Sequence, residues 1–95
     1  MSAATQSVIF VAEEDSKIVG TLSLTVTAIF SYIDDLAVLP TYQHRGIATQ
    51  LVLAALKIAE QNSPETYAVC VSQWSARICK HLGFKNETYG RYTKY

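Results

Sequence analysis

The order of elements in this sequence predicts an α+β fold: a mixed, mostly antiparallel sheet with two helices on it. Three observations carry the prediction. The stretch KIVGTLSLTV alternates from Ile18 onward, with Leu22, Leu24 and Val26 on one face and Thr21, Ser23 and Thr25 on the other. That is the period of a half-buried strand. A later stretch repeats at helical spacing instead: Ile47, Leu51, Ala54 and Ile58 form one stripe, with Ala48, Val52, Ala55 and Ala59 beside it. Strand-like runs flank that helix, so a crossover joins two neighbouring parallel strands, while the first three strands can pair antiparallel.

The elements follow in order. SVIFVAEED is β-branched and aromatic before it closes in acids, which predicts a strand over residues 8–12. The polar EEDSK is a turn, and the alternating run after it completes a hairpin. AIFSYIDDLAVLP reads as a third strand ended by Pro40. The helix that begins near Ile47 must stop at NSPE, because Pro64 disfavours helical geometry at Ser63. TYAVCV is a short buried strand. Ser72 can cap a second helix running to about Leu82, with Gly83 as its stop. FKNETYGRYTKY is a last strand, the fifth.

Composition bounds what such a domain does. The chain has 95 residues, enough for one small domain spanning its length, and a formal net charge of zero. Neutrality argues against nucleic acid or an anionic membrane as partner, since both require a basic excess. No apolar stretch is long enough to span a bilayer. The opening MSAATQS lacks the basic and apolar regions of a signal peptide, so the expected location is the cytoplasm. The two cysteines, Cys70 and Cys79, are expected as reduced thiols. With His44 and His81 they form no zinc spacing, so no metal is expected.

One short stretch carries the functional signal. In YQHRGIATQLV a polar segment meets a helix start at Gly46. A helix that begins there leaves its first backbone N–H groups unpaired. Those donors and the positive end of the helix dipole suit a phosphate, and a glycine keeps side-chain atoms out of its way. Gln43 to Thr49 then forms an anion cradle made mostly of backbone, with Arg45 able to add charge. It is neither a P-loop nor a GxGxxG turn. On local physics alone the second reading stands equally: Gly46 eases a tight turn and nothing more.

QHRGIA also fits the Q/R-x-x-G-x-G/A signature of the GNAT superfamily of N-acetyltransferases. The resemblance extends in order over nearly the whole chain. FVAEEDSKIVGTLSL resembles that family's second and third strands, YIDDLAVLPTYQHRGIATQLV its fourth strand and following helix, and WSARICKHLGF the segment that ends in LGF. It implies a GNAT-like acyl-CoA N-acyltransferase core with acetyl-CoA as co-substrate. The pyrophosphate of coenzyme A would lie on Gln43, His44, Arg45, Gly46, Ile47, Ala48 and Thr49. The pantetheine arm would lie between two splayed strands, paired with backbone groups of Leu36, Ala37 and Val38. One such N–H could polarise the thioester carbonyl while an amine attacks the acetyl carbon. The acceptor would be an amine on a small molecule or a protein.

The catalytic positions match less closely. The family often has a tyrosine four residues before the glycine of LGF, able to protonate the leaving thiolate; here Cys79 stands there, and Ser72 replaces a frequent asparagine. Cys79 is either that proton donor or a small buried apolar residue. Asp34 and Asp35 are candidates for the base that takes the amine proton, or else they are edge charges. Adjacent strand residues point to opposite faces, so only one can face the cleft. Tyr32 and Cys70 are further lining candidates. By this resemblance the chain lacks the family's usual first strand, two helices and last strand. Uncovered sheet edges predict a homodimer, with the tyrosine-rich tail, Tyr89 to Tyr95, as the first candidate for its contact. A binding module that holds an acyl-CoA without turnover is the alternative.

Overall fold

The computed structural model describes residues 5–70, 72–88 and 91–94. Six strands form one sheet in the order β1-β2-β3-β4-β6-β5. They are β1 (Gln6–Glu14), β2 (Lys17–Val26), β3 (Phe30–Val38), β4 (Glu65–Val69), β5 (Phe84–Thr88) and β6 (Arg91–Lys94). Helix α1 (Ile47–Asn62) follows β3 through a 3-10 turn, Pro40–Tyr42, and α2 (Gln73–His81) follows β4. The expected α+β class is therefore what the chain adopts. β3 and β4 are the parallel neighbours that the α1 crossover requires, and the other pairings are antiparallel. The tail differs from expectation. It makes two strands, not one, and the second inserts between β4 and β5, so the sheet has six strands.

Alternation in β2 does what its period predicts. Leu22 and Leu24 are 0% exposed and meet Leu51, Val52, Ala55, Leu56 and Ala59 of α1 in one core. Gly20 lets α1 come close: a Cβ there would lie 3.2 Å from Leu51 Cδ1 and 3.3 Å from Ile47 Cγ2. Local signals end the helices where expected. Ser63 takes extended geometry (φ −141°) ahead of Pro64, and its hydroxyl donates to the Thr27 carbonyl and meets Ser31 Oγ at 2.8 Å. At α2 the Ser72 hydroxyl accepts from the Ser75 N–H at 3.1 Å, a reciprocal capping box, and Gly83 follows the helix end at φ 95°.

Both helices pack on one side of the sheet. The other side shows Phe30 and Tyr32 stacked at 6.0 Å, with Tyr67 edge-on to Phe30 at 5.9 Å. Ile9 and Val11 of β1 stand exposed, 62% and 51%. The Tyr-rich tail does not supply a free edge. β6, which carries Tyr92, is paired on both sides, and Tyr89 and Tyr95 lie outside the described residues. The sheet's edges are β1 and β5. Among the described residues no helix is long and apolar enough to cross a membrane, and no group of three His, Cys, Asp or Glu side chains could hold a metal ion.

Candidate functional site: a helix start beside a strand gap

The chain leaves β3 at Val38, turns through Pro40–Tyr42 and enters α1 at Gly46. Gln43 pins this loop, its side-chain amide donating to the Val38 carbonyl at 3.0 Å. Two residues take left-handed geometry, His44 at φ 64° and Gly46 at φ 82°. Only glycine adopts that conformation without cost, which explains the glycine locally. It also does more. Gly46 is the N-cap, so no side chain caps the first turn, and that turn carries no acidic residue. The N–H groups of Ile47, Ala48 and Thr49 are thus left without a capping side chain. A Cβ built on Gly46 would meet nothing within 4 Å, so the space beside this residue is open.

A pocket of about 110 Å³ is lined by Gly46, Ile47, Ala48 and Thr49 together with Val38, Tyr42, Gln43 and His44, and by Trp74 and Ile78 of α2. Six of the seven expected cradle residues therefore come together. The size suits a phosphate or diphosphate group and not a whole nucleotide. The residues present fit the anionic part of coenzyme A: donors without a cap, no acid in the first turn, and an approach left open by a missing Cβ.

Arg45 is the seventh, and its side chain turns elsewhere. Its guanidinium sits 5.0 Å from the Tyr42 ring centre and 3.6 Å from Glu14 Oε2. Lys17 Nζ lies 5.1 Å from the same ring centre. The hairpin explains this cluster. Asp15 and Ser16, at φ 52° and 63°, make a tight two-residue turn that sets Glu14 directly opposite Lys17, and both reach the cradle loop. The Arg45–Glu14 pair is about half exposed on both sides, which limits it to about 0–1 kcal/mol. A phosphate can compete for Arg45 at little cost. Tyr42, Glu14 and Lys17 were not legible as site residues, since only the three-dimensional register brings the hairpin tip to the loop.

The gap between strands is the second part. β3 and β4 pair from Phe30↔Glu65 to Ile33↔Ala68 and no further, although β3 continues to Val38. Leu36, Ala37 and Val38 therefore hold one edge on β2, where Ala37 faces Thr21 and Val38 faces Gly20. Their other edge has no strand partner among the described residues. An extended chain could pair there.

A bulge stands where the pairing ends. Ser23 faces Asp34 and Thr21 faces Ala37, so Leu22 opposes both Asp35 and Leu36. Asp35 takes φ 53°. Alternation changes phase across it: Ser31 and Ile33 are buried before the bulge, Val38 after it. The simple rule that neighbours point to opposite faces does not hold through this point. Asp34 continues the side of Phe30 and Tyr32 and is half-buried, and Asp35 is exposed. Burial, and next to it the Asp35 charge, raise the Asp34 carboxyl above its ordinary range.

Cys79 lies apart from the pocket lining and is 1% exposed. Its Sγ is 3.4 Å from that of Cys70, itself 8% exposed. The hydrogen bond with Cys70, then burial, push the Cys79 thiol far up, so it holds its proton tightly; the same contact lowers Cys70. Ser72 serves α2 as its N-cap. Trp74 and Ile78 reach the pocket because α2 packs beside the start of α1, a contact between segments distant in sequence.

Comparison with known proteins bears on this geometry. The family profile described as "Acetyltransferase (GNAT) domain" matches residues 5–86. The chain belongs to the GNAT acetyltransferase family. Among curated proteins none matches by sequence. Solved structures with the same fold include an acetyltransferase from Bacillus cereus, 20% identical, with TM-score 0.83, covering 95% of this chain and 73% of that one. The PaiA N-acetyltransferase from Thermoplasma acidophilum, solved with coenzyme A, is 26% identical with TM-score 0.74, covering 94% of this chain and 61% of its own. An aminoglycoside N-acetyltransferase, AAC(6')-Iy, also solved with coenzyme A, is 20% identical with TM-score 0.74, covering 84% of this GNAT chain and 69% of that one.

Proposed function

We propose that this GNAT chain transfers the acetyl group of acetyl-CoA to a primary amine. The observation that carries the reading is the uncapped start of α1, opened by Gly46, placed beside the unpaired length of β3. Gly46, Ile47, Ala48 and Thr49 would hold the pyrophosphate, with Gln43 and His44 shaping the loop and Arg45 released from Glu14 to add charge. The pantetheine arm would run along Leu36, Ala37 and Val38, which puts the thioester near the bulge. There the amine attacks the acetyl carbon, the C–N bond forms, the C–S bond breaks and the thiolate leaves. Asp34 is the proposed base for the ammonium proton: its raised pKa brings it nearer the working range, and it stands where the strands part. Asp35 holds the bulge and supports it. Cys79, buried and firmly protonated, is a poor donor to a departing thiolate, so solvent takes that role in this reading. No metal enters this scheme. The relatives solved with coenzyme A support the co-substrate, and the relative that acetylates aminoglycosides supports an amine acceptor. The two free thiols suit a reducing compartment, the cytoplasm. The exposed Ile9 and Val11 of β1 suit a homodimer.

Calorimetry with acetyl-CoA, followed by thiol release in the presence of a panel of small amines and lysine peptides, tests the proposal. Binding with amine-dependent thiol release is the expected result. Binding without release from any amine leaves an acyl-CoA-binding module, and absence of binding refutes the cradle.

A further inference from the structure

We infer that Cys70 and Cys79 are a peroxide-sensitive dithiol site: hydrogen peroxide closes them to a disulfide that fastens α2, which lines the pocket, to the end of β4. The inference rests on the packing of the two thiols and on neither the coenzyme A reading nor the homodimer reading.

The two sulfurs are already in contact. Cys70 and Cys79 are the chain's two cysteines, and both are free thiols. Their sulfurs lie 3.4 Å apart and share a hydrogen bond. A disulfide brings its sulfurs to about 2.05 Å. The approach still needed is about 1.4 Å, which side-chain rotation and a small shift of α2 can supply. Cys70 follows Val69, the last residue of β4 to pair with a neighbouring strand, so ladder hydrogen bonds do not hold it in place. Cys79 lies in the last turn of α2. The bond would join the exit of β4 to the end of the next helix and leave the sheet pairing as it is.

The two sulfurs differ, and the difference assigns their order of reaction. Cys70 is 8% exposed and Cys79 1%, so an oxidant from solvent meets Cys70 first. An opening that narrow suits a molecule near the size of water and not a tripeptide disulfide such as oxidised glutathione. The hydrogen bond with Cys79 holds the Cys70 thiol below its usual range against the effect of burial, and a second hydrogen bond, with Ser75, acts the same way. The thiolate is the nucleophile in thiol oxidation. Cys70 is therefore the sulfur that attacks, and Cys79, which keeps its proton, is the one that resolves.

The Cys70 thiolate attacks one peroxide oxygen, the O–O bond breaks and hydroxide leaves, which makes Cys70 a sulfenic acid. The Cys79 sulfur then attacks the Cys70 sulfur. The S–S bond forms, the S–O bond breaks, and the departing hydroxyl takes the Cys79 proton away as water. The proton first lost by Cys70 turns the hydroxide into a second water. Two thiols have lost two electrons, and one peroxide has been reduced to two waters. A resolving thiol in contact stops the ladder at a bond that a thiol reductant reopens, short of the irreversible sulfinic acid. Transient disulfides of this kind occur in reducing compartments as redox sensors. The link reaches the pocket through α2, since Trp74 and Ile78 of that helix line it.

Hydrogen peroxide, added in a few equivalents to the reduced and folded full chain, tests the inference by mass spectrometry. Intact mass should fall by two hydrogen atoms, without doubling. Trypsin cuts after Lys57, Arg77 and Lys80, so it separates the two cysteines. With free thiols blocked before digestion, the linked form should give residues 58–77 joined to residues 78–80, and dithiothreitol should split the pair. Cys79→Ala should stop at a Cys70 sulfenic acid that dimedone traps. Cys70→Ala should leave Cys79 unmodified in the native protein. Circular dichroism checks that both variants fold, and the wild-type result decides the matter without them. A native wild type that gains oxygen on Cys70 while the two peptides stay separate overturns the inference. A link between two chains, or one that forms only after unfolding in urea, overturns it as well. A dimedone adduct on Cys79 in folded Cys70→Ala overturns the order of reaction.

Discussion

Replacing Gly46 separates what its backbone needs from what its missing side chain leaves open. The residue sits at φ 82°, ψ 5°, and a Cβ there meets no atom within 4 Å. Gly46→Ala therefore creates no internal clash, and its whole stability cost comes from the left-handed backbone, about 1–2 kcal/mol for an L residue. For a domain of this size, each kcal/mol lowers the melting temperature by roughly 4–8 °C. Asparagine tolerates left-handed geometry and is a good N-cap, so Gly46→Asn should recover most of that loss. Binding should not follow stability. In the proposed cradle either side chain would stand at the start of α1, where the phosphate is held, and an asparagine oxygen would compete for the Ile47, Ala48 and Thr49 N–H groups. Each variant should lose at least about tenfold in acetyl-CoA affinity, or roughly 1.4 kcal/mol. Calorimetry well below the melting transition, beside thermal denaturation followed by circular dichroism, measures both quantities. The reasoning fails if Gly46→Asn is as stable as wild type and binds acetyl-CoA equally well, since Gly46 would then be a turn residue only.

Three further outcomes follow from the same structure. Asp34 has a raised carboxyl pKa, so its ionised form costs folding energy; that cost is absent below the unfolded value and complete above the folded one. Asp34→Asn should thus lower amine-dependent thiol release by ~10²-fold while the melting temperature at pH 7 stays level or rises, a gain that disappears near pH 3; full activity with this variant removes Asp34 from the mechanism. Iodoacetamide should modify Cys70 in the native protein and reach Cys79 only on unfolding, because burial and their shared hydrogen bond hold Cys79 protonated; equal labelling rates by peptide mass would contradict the packing. Leu22→Ala, at a site 0% exposed between β2 and α1, should cost about 2–5 kcal/mol, seen as a lower urea midpoint at unchanged slope; a loss under about 1 kcal/mol would mean that α1 does not close on β2 as described.

The features legible in the sequence are the ones that local physics decides. The alternation of Leu22, Leu24 and Val26 requires a strand with one buried face whatever surrounds it. Pro64 ends α1, Ser72 caps α2 and Gly83 stops it, each through its own backbone or its nearest neighbours. The cradle belongs to this class, since a glycine at a polar-to-helical junction is a property of a few consecutive residues. The tail belongs to another. Whether FKNETYGRYTKY makes one strand or two depends on which edge accepts it, and β6 is placed between β4 and β5 by pairing with residues more than twenty positions away.

The bulge at Asp35 shows why catalytic residues are harder to place than binding ones. A bulge is a property of two strands: Leu22 on β2 must oppose two residues on β3 before Asp35 becomes the extra one. Read along β3 alone, Ser31, Ile33, Asp35 and Ala37 share a face, and Asp35 would lie under the helices. The bulge shifts that phase, leaves Asp35 in solvent at φ 53°, and brings Leu36 and Val38 round to the core side. It also stands where β4 stops pairing, so one irregularity opens the gap and sets the face that Asp34 occupies. The same limit applies to the hairpin tip, where Glu14 and Lys17 reach Arg45 and Tyr42 across the fold. In both places the side chains that would act on a substrate are positioned by a contact between segments distant in sequence. The backbone donors that would hold its phosphates need only the start of one helix.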